Sequence, residues 1–288
     1  MLIAVVMLGV LVLTVAAAWL LVQTRGAGID RGANLLADVR ERGLSAFWGE
    51  QPHEAWFLFT SADGEPLGWR RSLRIRVQDG YLGEDQAVLT NGTQWREGWQ
   101  ITDDALVGRY SSALESPNLP SGFLKVGIDL REDRVYVSSS AAGEPAASPA
   151  PANYVPEGLL DLALYLAGRQ DGGVALDTIS NIAAVHAGRV RFVTIQVKAS
   201  EEGVRVSGPD RIYRFDESGE LQSLRHVDDE SQWLRVSRDE LAELFPEVLR
   251  FRSLEEALPA PEEEDKSMDK WEGMDDDVPA LPPDPAPI

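Results

Sequence analysis

The sequence predicts a mainly β (α+β) protein: an antiparallel sheet with a few packed helices, one N-terminal transmembrane helix and a disordered C-terminal tail. Three observations predict it. Short runs beginning at Ala55 alternate apolar and polar side chains with the two-residue period of a strand. Turn signals interrupt those runs too often for the long crossovers that parallel pairing needs. The two ends break the pattern, the first by carrying no charge from Leu2 to Val22, the last by being acidic and rich in proline.

In chain order, the stretch LIAVVMLGVLVLTVAAAWLLV (Leu2 to Val22) has the length of a helix that crosses a hydrocarbon core of about 30 Å. A cleaved secretory signal has a basic start, a shorter apolar run and a small-residue cleavage site. Ala16 and Ala18 supply such a site, but Trp19, Leu20 and Leu21 carry the apolar run past it, so residues 1–24 are expected to remain as an anchor. Arg25, Arg31, Arg40 and Arg42 all follow the anchor. The positive-inside rule then keeps the next domain in the cytoplasm, unless a start further upstream carries Lys or Arg. Residues 25–50 read as a juxtamembrane connector, with Leu35, Leu36 and Val39 at helical spacing.

The β-rich domain is expected over residues 51–257. It opens with AWFLFTS, a turn at Ala62, Asp63 and Gly64, and PLGWRRSLRIRV, where Trp69, Leu73, Ile75 and Val77 alternate with Arg70, Ser72, Arg74 and Arg76. That alternation predicts a hairpin with one buried face and its arginines on the other. Turns at Asp79-Gly80, Asn91-Gly92, Asp103-Asp104 and Glu132-Asp133 separate TQWREGWQIT, ALVGRYSS, FLKVGIDL and RVYVSS. Residues 139–153, small and proline-containing, read as an internal linker. PEGLLDLALYLAG places leucines on nearly every side of a helix that starts at Pro156 and should be buried. A second meander follows through RVRFVTIQV, GVRVSG, RIYRF and LQSLRHV. Ser237 and Glu240 then have capping-box spacing ahead of a short helix that ends at Pro246. Residues 258–288 cannot bury enough apolar surface to offset ordering entropy and are read as disordered.

Composition narrows the function. A formal net charge of −20 argues against nucleic acid, because phosphate binding needs clustered Lys and Arg. With no cysteine, disulfides and thiolate metal sites are excluded. His53, His186 and His226 lie far apart and no HExxH, GxSxG or Walker loop is present, so no enzymatic activity, catalytic residue, cofactor or metal is expected. Asp275, Asp276 and Asp277 lack the spaced ligands of a calcium loop. Arg70, Arg74 and Arg76 share a strand face that reads either as solvated or as a seat for a phosphate head group or the acidic tail. The abundant aromatic residues read either as sheet core or as the lining of an apolar groove. The residues expected to touch an apolar ligand are Trp56, Trp69, Leu73, Ile75, Phe123 and Leu164.

The strand ending in DGEPLGW (Asp63 to Trp69), the helix PEGLLDLALYLAG, the hairpins through YRFDESGELQSL and the closing LFPEV together carry a resemblance. Over residues 50–248 the chain resembles uncharacterised bacterial envelope proteins whose sheets are similar to those of lipoprotein-localisation carriers. The resemblance implies a highly curved antiparallel sheet or half-barrel partly wrapped around helices, with a concave apolar face. It also implies an extracytoplasmic domain, and it carries over no catalytic residue. The expected function is a single-pass, membrane-anchored, non-enzymatic envelope domain that binds an apolar ligand or lipidated partner in the sheet concavity. Its expected partners are membrane lipid, through the N-terminal helix, and an apolar ligand or envelope protein. The alternative is a scaffold that recruits a partner through its acidic tail.

Overall fold

The computed structural model describes residues 26–142, 144–179, 184–186 and 188–251. The expected anchor at 1–24 and tail at 258–288 lie outside the described residues, among which no helix is long and apolar enough to cross a membrane.

Helix α1 covers residues 26–42, and a single turn, α2, covers Ser45–Trp48. Eight strands follow: β1 His53–Thr60, β2 Pro66–Val77, β3 Gly80–Leu89, β4 Gln94–Thr102, β5 Val107–Glu115, β6 Phe123–Arg131, β7 Arg134–Ser139 and β8 Ala146–Pro149. A 3-10 turn, Glu157–Leu159, leads into α3, Leu160–Gly168. The second half holds β9 Val174–Ile179, β10 Val185–His186, β11 Arg189–Val190, β12 Phe192–Ser200, β13 Gly203–Ser207, β14 Arg211–Phe215, β15 Leu221–His226 and β16 Gln232–Val236. Helix α4, Arg238–Leu244, and a 3-10 turn, Pro246–Arg250, close the domain.

Fourteen strands form one sheet in the order β8-β7-β6-β5-β4-β3-β2-β1-β16-β15-β14-β13-β12-β9, and β10 pairs with β11 apart from it. Pairing along that sheet is antiparallel throughout, as the close turn spacing predicts. The chain walks outward from β1 to β8, crosses over through α3, restarts at β9 and walks back until β16 pairs with β1. Geometry requires the sheet to curl. Gly158 lies against the Trp99 ring of β4, and Gly168 against Val204 of β13. These strands are seven places apart in the sheet order, about 34 Å if flat, yet the helical segment from Glu157 to Gly168 spans only about 18 Å. The sheet therefore wraps round α3, and the main core lies on the concave side, where Phe57, Tyr81, Ile101, Val197, Tyr213 and Trp233 join Leu159 and Leu164.

Both outer edges are covered, which removes a template for unwanted strand pairing. Residues 153–155 run along β9, with Val155 N–H donating to Asp177 O at 2.8 Å and Asn153 Nδ2 to Ala175 O at 3.1 Å. Helix α1 leans on the same strand, and Arg31 Nε donates to Gly173 O at 2.8 Å. At the other edge the β10–β11 hairpin meets β8, where Val190 N–H donates to Ser148 Oγ at 3.3 Å.

Two expectations need correction. The stretch read as a linker contains β8, whose residues Ala146 and Ala147 pair with Val137 and Tyr136. Small side chains suit an edge strand tucked beneath a hairpin, so the lack of apolar periodicity there did not mean the lack of a strand. The arginine face of β2 is also not its solvent face. Arg70, Arg74 and Arg76 stand on the concave side, pairing across strands with Phe57, His53 and Tyr81. Trp69 stands on the convex side and is covered by the C-terminal elements through Leu241, Val248 and Phe251.

Candidate functional site

Strand β4 sets the character of the concave face. Trp95, Glu97, Trp99 and Ile101 share its inner side, opposite Ala87, Asp85, Gly83 and Tyr81 of β3 and Leu114, Ser112, Tyr110 and Gly108 of β5. An acid thus sits in the middle of an otherwise apolar row. Arg70 meets it from β2, donating from Nε to Asp85 Oδ1 at 3.0 Å and from Nη2 to the same oxygen at 2.6 Å. Asp161, at the start of α3, enters the same region from above.

Acid outnumbers base here. Burial pushes the Glu97 carboxyl up to about 7, the nearby Asp85 adds to the shift, and Arg70 and a hydrogen bond from Tyr110 oppose it. Burial also raises Asp161, against the pull of Arg70. Burial works against the charge on Arg70 itself, but Asp85 and the other acids outweigh it and hold the guanidinium above its ordinary value.

Beside this cluster, between β4–β6 and the turn at residues 154–158, a small cleft with room for about one water-sized group opens to solvent. Trp99, Ile101, Ile128, Leu130 and Pro156 supply apolar walls, while Tyr110, Tyr154 and Glu157 supply polar groups. Glu157 Oε2 accepts from the Tyr154 hydroxyl at 3.0 Å, whereas Oε1 is buried without a hydrogen-bond partner. Burial raises Glu157 to about 7; Tyr154 and the backbone amides of Glu157 and Ile179 hold it down, and Glu97 pushes it further up. The turn can come this close because residue 158 is glycine: a Cβ there would sit 2.7 Å from the Trp99 ring.

A second polar group lies further along the concave face. Glu220 accepts from Arg74 Nη2 at 2.8 Å and pairs with His53 Nε2 at 2.9 Å, and the Arg74 guanidinium lies 4.6 Å above the Trp48 ring. Burial would raise Glu220, but His53 and Arg74 override it and hold the carboxyl at about 2. This group is paired internally.

The six residues expected to touch a ligand do not share one surface. Trp56 and Trp69 lie together on the convex side with ring centroids 6.0 Å apart, and Trp69 Nε1 donates to Glu247 Oε1 at 3.2 Å. Leu73 and Ile75 continue that convex face half-buried, and Phe123 sits at the start of β6 with Lys125 Nζ 5.4 Å from its ring. Leu164 alone lies in the concave core, at 0% exposure. Sequence reasoning missed Glu97, Glu157 and Asp161. The available signal was an acid at a position whose neighbours of the same parity are apolar: Glu97 between Trp95 and Trp99, and Asp161 within a run of leucines.

No protein-family model matches the chain, and no curated protein matches it. Among solved structures, the chain is similar to the crystal structure of a β-barrel-like protein of domain of unknown function DUF1849 from Brucella abortus. The two share 13% identity over 65% of this chain and 96% of that one, with a TM-score of 0.38. None of these comparisons names a lipoprotein carrier. What stands of the expected resemblance is the large, curved antiparallel sheet itself.

Proposed function

We propose that the domain is a non-enzymatic binding module, tethered to the envelope membrane by its N-terminal segment, that holds the end of an apolar ligand or partner segment in the cleft at Trp99, Tyr110, Tyr154 and Glu157. The observation that carries this reading is the cleft: apolar walls with a few convergent polar groups and a shifted acid are the usual make-up of a ligand site. The rest of the concavity is filled by Leu159, Leu164 and the aromatic rings around Trp48. The ligand's end therefore enters at the β4–β6 side and does not lie along the whole sheet. The acids are partnered by tyrosines and an arginine, an arrangement suited to binding polar groups.

Gly108 provides the test. It lines the cleft, and the nearest atoms a Cβ there would meet are Gln100 O at 3.5 Å, Ile101 Cγ1 at 3.6 Å and Ile101 Cδ1 at 3.8 Å, all ordinary contacts. Gly108→Val should fill the cleft and leave the fold intact. With the full-length chain in phosphatidylcholine nanodiscs, calorimetric titration with n-pentanol and n-pentylammonium should show saturable binding of at least one, lost in Gly108→Val at unchanged melting temperature. Equal binding by the variant would remove the cleft from the reading.

A further inference from the structure

We propose that Asn91 is a site of spontaneous covalent modification in the folded chain: its side-chain amide closes on the Gly92 nitrogen to a succinimide, which water opens to an aspartyl or isoaspartyl residue. Asn91 and Gly92 lie in the turn between β3 and β4, and both are exposed. Gly92 has a φ of 85°, and the nearest atoms a Cβ there would meet belong to the Pro117 ring at 4.0 Å. Neither a side chain of its own nor a group from elsewhere in the fold therefore shields its nitrogen. The Asn91 side chain is folded back along the main chain, because Thr93 N–H donates to Asn91 Oδ1 at 2.9 Å. The same bond serves the reaction: when Cγ is attacked, negative charge develops on Oδ1, and the Thr93 amide is already aimed at it.

The step balances without an oxidant or a reductant. Gly92 N gives its proton to solvent base and bonds to Asn91 Cγ, the Cγ–Nδ2 bond breaks, and Nδ2 leaves with a proton as ammonia. Water then adds to one of the two ring carbonyls. Addition at Cγ restores the normal main chain with a carboxylate in place of the amide. Addition at the main-chain carbon leaves Gly92 attached through Cγ, so the main chain gains a methylene. The closure is opposed by Gly92 N–H donating to Leu89 O at 3.0 Å. That bond belongs to an exposed turn and is released by local opening, without unfolding of the sheet. Asn34, Asn118, Asn153 and Asn181 are followed by Leu35, Leu119, Tyr154 and Ile182, and a side chain on the following residue crowds the attacking nitrogen. The turn meets residues 116–122 through Thr93 Oγ1 and Ser116 Oγ, 2.9 Å apart, and neither 87–95 nor 116–122 carries a charged side chain. The modification thus places a negative charge in an uncharged region of the surface.

The test incubates the full-length chain, in phosphatidylcholine nanodiscs, in heavy-oxygen water at mildly acidic and mildly alkaline pH, followed by cleavage after arginine in ordinary water. Cleavage after Arg76 and Arg96 isolates a peptide in which Asn91 is the sole asparagine. Mass spectrometry should show this peptide exchanging its amide for a carboxyl that carries one heavy oxygen, faster at the alkaline pH and as a pair of aspartyl and isoaspartyl forms. The peptides of Asn34 and Asn118 should stay unchanged, with circular dichroism showing an intact sheet throughout. Asn91→Gln keeps an amide but needs a larger ring, and should lose the change. An aspartyl product without the isoaspartyl form would overturn the succinimide route, and equal conversion at Asn34 would overturn the role of Gly92. An unchanged Asn91 peptide in the folded chain, whether or not urea releases the reaction, would overturn the site.

Discussion

Arg70 concentrates the residue-scale physics of this protein, because its partner Asp85 is only 6% exposed and depends on it for compensation. Removing one member of such a pair strands the other, at about 3–5 kcal/mol, whereas replacing both by apolar residues is often close to neutral. Arg70→Met should thus lower unfolding stability by about that amount in urea titration, and the double variant Arg70→Met/Asp85→Leu should recover most of it. The shifted acids give a second expectation. Glu97 and Glu157 are both pushed up from 4.5 to about 7, so the folded chain holds their protons more tightly than the unfolded chain. Their stabilising contribution is complete below the unfolded value and is lost as pH rises through about 7, by at most on the order of 3 kcal/mol each. Glu220, held at about 2, acts oppositely: its contribution is present above 4.5 and is lost as pH falls toward 2. The urea midpoint should therefore fall between about pH 5 and 8, and Glu97→Gln should flatten that fall; a rise over this range would contradict the burial of these acids. The sequence showed that Arg70, Arg74 and Arg76 share a face, because strand parity is local. It did not show that the face turns inward, because that depends on strands more than a hundred residues away.

At the scale of elements, contacts between distant backbones decide more than propensity. In helix α1 a Cβ on Gly32 would lie 2.1 Å from Ala175 O, whereas Gly26 has nothing within 4 Å. Gly32→Ala should force the helix off β9 and cost about 1–3 kcal/mol, with faster amide exchange in Val174–Ile179. Gly26→Ala, in open space, should be neutral or stabilising by up to about 1 kcal/mol. A pair of equal effects would mean that the helix does not rest on that edge. Elements with local signals were legible: Ser237 and Glu240 form the capping box their spacing announces, and Pro246 opens the turn that follows. The buried helix was legible too, since Leu162 and Leu164 lie in the core. Strands β8 and β9 were not singled out, because their pairing partners, and not their own alternation, make them strands.

For the whole molecule, the decisive feature is the seam where β1 meets β16, which joins two meanders that are each built from neighbours in sequence. Phe59 and Trp233 stack across it with centroids 4.5 Å apart, and Trp95 of β4 meets Trp233 edge-on at 5.7 Å. One core draws on both halves. Unfolding should accordingly be a single transition by far-ultraviolet dichroism and by tryptophan fluorescence, and Trp233→Ala should lower stability by about 3–5 kcal/mol while keeping the transition single. Two separate transitions would show that the meanders are independent domains. The sequence by itself determined the strand-rich class, the antiparallel pairing, the central helix and the acidic character, since alternation, turns and composition act over a few residues. Only the tertiary structure decided which side of the sheet is the inside, and so which acids are stripped of water and where the cleft forms. Curvature brings together Glu97, Tyr110, Tyr154 and Glu157 from segments up to sixty residues apart, and no local pattern encodes that closure.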